Sequence, residues 1–71
     1  MSVPEAIKEL RSSMKLTQTQ LANILGVTFA TVNRWENGRC VPVGKVRARL
    51  VSLCKKHKIK VEFGSEGNQN V

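Results

Sequence analysis

Three features of this sequence point to an all-α domain of four helices, or five, followed by a short extended segment. Apolar residues recur at helical spacing, capping residues stand just ahead of such stretches, and glycines close two of them. A chain of 71 residues leaves room for one small domain with a modest core. Residues 1–63 carry these signals, whereas the polar, Gly-rich stretch 64–71 reads as a disordered tail.

Ser2 and Glu5 match a capping box, and Pro4 is tolerated because first-turn amides need no helical partner. Ile7, Leu10 and Met14 then give one helix face, so the first helix should run to about Met14. Thr17 with Gln20 repeats the capping signal. Leu21, Ala22 and Leu25 form the apolar face behind it, and Gly26 closes the second helix. Thr28 caps a third, in which Val32 and Trp35 face inward and Asn37-Gly38 supply the stop.

Gly38, Pro42 and Gly44 punctuate a connector, after which a fourth helix is expected from about Val43 to His57. Its inner face would hold Val46, Leu50, Leu53, Cys54 and His57. Ile59, Val61 and Phe63 then alternate with Lys58, Lys60 and Glu62, as a half-buried extended segment does. No second strand is visible in the chain. The segment must lie against the helices or pair with its own copy in another chain, because a lone strand leaves backbone groups unsatisfied.

Composition narrows the function. Twelve Lys plus Arg stand against five acids, all of them Glu, for a net charge of +7 that favours a polyanionic partner. The imbalance is local: from Arg39 to Lys60 there are eight basic residues and no acid. Cys40 and Cys54, with His57 for company, fall short of a four-ligand zinc site. They read as reduced thiols, a disulfide being the alternative in an oxidised sample.

One histidine, no paired acidic cluster and no phosphate-cradling glycine loop name no reaction class, so no enzyme, cofactor, metal or small-molecule ligand is expected. Glu5 and Glu9 interrupt the start of the chain and no stretch approaches about 20 apolar residues. A cytoplasmic location without membrane contact follows as the expectation.

The most informative stretch runs from Thr17 to Gly38. Ala22 sits where two helices cross closely, Gly26 supplies a turn of positive φ, and Val27 plugs the corner beneath, a helix-turn-helix pattern over residues 18–37. The joint match of Gln18, Leu21, Ala22, Gly26, Val27, Val32, Glu36, Asn37 and Gly38 resembles the lambda-repressor-like, Cro and xenobiotic-response-element family of DNA-binding domains. The resemblance covers Glu5 to about Pro42. Helix four is longer and more basic than the pair of short helices common in that family.

If Val32 and Trp35 face the core, then Phe29, Ala30, Asn33 and Arg34 face outward, a row suited to the major groove. Arg34 could grip guanine, Asn33 adenine or a phosphate, and Phe29 and Ala30 thymine methyl groups. The family more often carries polar groups at the last two positions. Phosphate contacts are expected from the start of helix two at Gln18 and from Thr28; the resemblance implies that Asn37, Gly38 and Arg39 lie where the family's loop grips the backbone, with Lys45 and Arg47 extending the stripe.

The resemblance further implies that Glu36 pairs with Arg11 on helix one in a structural role. It makes double-stranded DNA the expected partner of a transcriptional regulator, and two half-sites would call for a homodimer. The alternatives are a protein-interaction module such as an antitoxin, the N-terminal DNA-targeting domain of a longer protein, and, ranked last, an RNA binder.

Overall fold

The computed structural model describes residues 1–63, so the disorder expected for 64–71 lies outside the described residues. Four helices follow one another: α1 (Val3–Met14), α2 (Gln18–Leu25), α3 (Phe29–Glu36) and α4 (Gly44–Lys56). A fifth helix is not present among the described residues.

Local chemistry sets the helix ends. The Glu5 amide donates to Ser2 Oγ while the Ser2 amide donates to Glu5 Oε1, completing the capping box of α1. Thr17 and Gln20 do the same for α2, with bonds of 3.1 and 2.9 Å. Thr28 Oγ1 caps α3 by accepting from the Thr31 amide. At the other end of α1, Lys15 takes the left-handed conformation with φ 56°, an ending for which no glycine in the sequence gives a cue. Gly26 ends α2 with φ 74°, and the Val27 amide then donates to the Ala22 carbonyl at 2.9 Å.

The expected inner faces supply the core. Ile7, Leu10, Leu21, Ala22, Leu25, Val32, Trp35, Leu50 and Cys54 are all buried. Val3 and Ala6 join them from α1, whereas Met14, Val46 and Leu53 only flank the cluster. Pro42 of the connector is fully buried. Helix α3 packs against α1 and α2, and α4 packs against the same two helices.

The extended segment lies against this body. Ile59 and Phe63 are buried and Val61 is half-buried, while Lys60 and Glu62 are exposed. The Arg47 guanidinium stands 3.9 Å from the centre of the Phe63 ring, pinning the segment to α4.

Gly26 offers a direct check of the turn. A Cβ there would meet only Arg49 Nη1, at 3.4 Å, the end of a flexible side chain. The cost of Gly26→Ala is therefore one of backbone conformation, about 1–2 kcal/mol. It should appear as a lower urea midpoint with an unchanged denaturant slope.

Candidate functional site

Between α2 and α3 a chain of polar side chains runs from the interior to the surface. Arg11 of α1 donates through Nε to Glu36 Oε2 and through Nη2 to Glu36 Oε1 at 3.0 Å, a forked contact. Its Nη1 donates to the Leu16 carbonyl at 3.1 Å. Gln18 Nε2 donates to the same Glu36 Oε1 at 3.0 Å, and Gln18 Oε1 accepts from Asn33 Nδ2 at 3.3 Å. Asn37 Nδ2 closes the series on the Asn33 side chain and carbonyl.

Glu36 is the one buried charged residue among those described, with 6% of its surface exposed. Burial pushes its carboxyl upward, but hydrogen bonds from Arg11 and Gln18 and the Arg11 charge outweigh that and hold it below the ordinary glutamate range. The bond to Glu36 likewise raises the Arg11 guanidinium above its usual value.

The expected base-reading row divides. Phe29, Ala30 and Arg34 are exposed, Phe29 to 52%. Asn33 differs from its expected outward position: it is half-buried and turned toward Gln18, because the polar seam between α2 and α3 offers it partners. The Arg34 side chain forms no hydrogen bond or ion pair among the described residues, while its carbonyl accepts from the Arg39 amide at 2.9 Å.

Of the expected phosphate contacts, Thr28, Asn37, Gly38, Arg39 and Lys45 are exposed. Thr28 Oγ1 is already engaged with Thr31, and Gln18 keeps one amide hydrogen beyond its bond to Glu36. Arg47 does not join the stripe as a free cation, since it is half-buried over Phe63. Sequence reasoning also missed Gln18 as the link between Glu36 and Asn33, and Arg49, which donates to the Leu25 carbonyl at 3.4 Å at the end of α2.

Among the described residues no three potential metal ligands converge, and no helix is long and apolar enough to cross a membrane. Cys40 is exposed and Cys54 buried, both unpaired, and burial pushes the Cys54 thiol up.

A family model described as "Helix-turn-helix" matches residues 7–48, which span most of α1, all of α2 and α3, and the start of α4. The chain belongs to the helix-turn-helix family. Within it, the HTH-type transcriptional regulator DicA of Escherichia coli (strain K12) is 30% identical over 69 residues, covering 97% of this chain and 51% of that protein. The Vegetative-specific protein H7 of Dictyostelium discoideum is 35% identical over 49 residues, covering 69% of this chain and 47% of the relative. This helix-turn-helix chain thus spans about half the length of the curated relatives it matches. No solved structure gives a significant match.

Removing Arg11 leaves Glu36 buried without its main partner, so Arg11→Ala should cost about 3 kcal/mol, near the low end for buried pairs because a quarter of Arg11 is exposed. The pH dependence follows from the lowered carboxyl. Unfolded Glu titrates near about 4.3. The stabilisation is complete above that value and is lost as pH falls through the lower folded value. Denaturation of the wild type should therefore become easier as the pH drops below about 5, and Glu36→Gln should flatten that part of the curve.

Proposed function

We propose that the chain binds double-stranded DNA sequence-specifically, with α3 laid in the major groove, and acts as a transcriptional regulator of bacterial or phage type. The observation that carries this reading is the two-sidedness of α3. Its inner side is fixed by Val32, Trp35 and the Arg11–Glu36 pair, while Phe29, Ala30 and Arg34 stand uncovered on its outer side.

An α-helix has the right width for the major groove. The Arg34 side chain, free of protein partners, can make a forked contact to guanine O6 and N7, and Phe29 with Ala30 suits thymine methyl groups. Asn33 retains one donor and one lone pair for a base or a phosphate. Phosphates fall to the first amides of α2 and the Gln18 side chain, to Thr28, and to Asn37, Gly38, Arg39 and Lys45. The net charge of +7 and the likeness to the transcriptional regulator DicA support the same reading.

A second reading, a protein-interaction module such as an antitoxin or the targeting domain of a longer protein, draws on the exposed apolar side chains Ile24 and Phe29. Selection of bound duplexes from a random pool separates the two. An enriched sequence supports base readout, whereas no enrichment, with no duplex binding even in dilute buffer, supports the module.

For the wild type, log K should fall with log[salt] at about −0.9 per phosphate neutralised. Arg34→Ala should lose about 1–3 kcal/mol of discrimination at one base position. Arg39→Ala should weaken all duplexes alike and lower the salt slope by about one. Identical selection profiles for the two variants would overturn this division of roles.

A further inference from the structure

Phe29 and Ala30 open α3, and the groups they lack decide what they can distinguish. Of the three aromatic residues in the chain, Trp35 and Phe63 are buried, while Phe29 is 52% exposed and stands outside the core cluster. Ala30 beside it is exposed as well. Neither side chain carries a hydrogen-bonding group.

The polar side chains next to them are largely engaged. Thr28 Oγ1 accepts from the Thr31 amide at 3.2 Å and lies 3.0 Å from Thr31 Oγ1, so the two hydroxyls bond to each other and leave one hydrogen between them, suited to a phosphate oxygen. One turn on, Asn33 is turned toward Gln18 and Asn37. The N-terminal end of the outer side of α3, where this motif meets base edges, therefore offers hydrocarbon. Arg34, Arg39 and Lys45 keep exposed charges nearby, which make a polyanion the matching occupant of this apolar face.

In the major groove thymine shows the O4 acceptor and the C5 methyl group, whereas cytosine shows the N4 donor and no methyl. A polar side chain senses the exchange of acceptor for donor. Hydrocarbon responds to the methyl alone, and 5-methylcytosine carries that methyl on the same ring carbon as thymine. We propose that Phe29 and Ala30 read the C5 methyl group itself, so that methylation of a cytosine at the position they contact strengthens binding as thymine does there. This methyl readout rests on the DNA reading above and adds to it the class of duplex recognised, one marked by C5 methylation.

Duplexes that the full chain enriches from a random pool supply the probes. At each pyrimidine of the enriched sequence in turn, four forms of the base pair are titrated: U·A, T·A, C·G and 5-methylcytosine·G. The first two differ by one methyl group, and so do the last two, so each comparison isolates the methyl from every other change. At the positions under Phe29 and Ala30 the methyl should tighten binding about fourfold in both comparisons, the effect of burying one such group. Phe29→Ser, at an exposed position, should abolish the gain at one of them and leave the preference set by Arg34 in place.

No methyl gain at any position, a gain for thymine without one for 5-methylcytosine, or a gain undiminished everywhere by Phe29→Ser would each overturn the proposal while sequence-specific binding stands. Failure to enrich any duplex would instead overturn the DNA reading, and the methyl readout with it.

Discussion

Glu36 is a carboxylate buried near the C-terminal end of a helix, where desolvation and the helix dipole both oppose its charge. Arg11 makes that position tenable and in doing so sets the pose of α3. A forked contact constrains orientation as well as separation, because both nitrogens must meet both oxygens at once. The same guanidinium reaches the Leu16 carbonyl, so one side chain ties α1 to the connector ahead of α2 and to α3.

The polar seam extends that constraint to the rim of the helix pair. Gln18 shares Glu36 with Arg11 and passes its own carbonyl to Asn33, which in turn receives Asn37. In a domain with few core residues, apolar contacts alone would hold α3 with little directional preference. Hydrogen bonds at fixed angles supply that preference. The outer side of α3 is then free to carry side chains chosen for what they contact rather than for what they hold together.

Charge on the C-terminal half is not equally available. Arg47 is committed to the Phe63 ring and Arg49 to the Leu25 carbonyl, each fastening one element to another. Arg39 and Lys45, in the connector and at the start of α4, remain exposed. A tally of cations along the sequence overstates the surface that a phosphate backbone could use, because long basic side chains also serve as packing and capping groups.

Helix ends and inner faces were legible because they depend on neighbours within four residues. Ser2 with Glu5, Thr17 with Gln20, and Gly26 behind Leu25 each act over that distance. Core positions such as Leu21, Leu25, Val32 and Leu50 followed from the same periodicity. The inward turn of Asn33, the anchoring of Arg47 and the resting place of the Ile59–Phe63 stretch did not follow from it. Those depend on contacts between residues 15 to 59 apart, which exist only once the helices have stacked, and local spacing carries no record of which surface will be brought up against which.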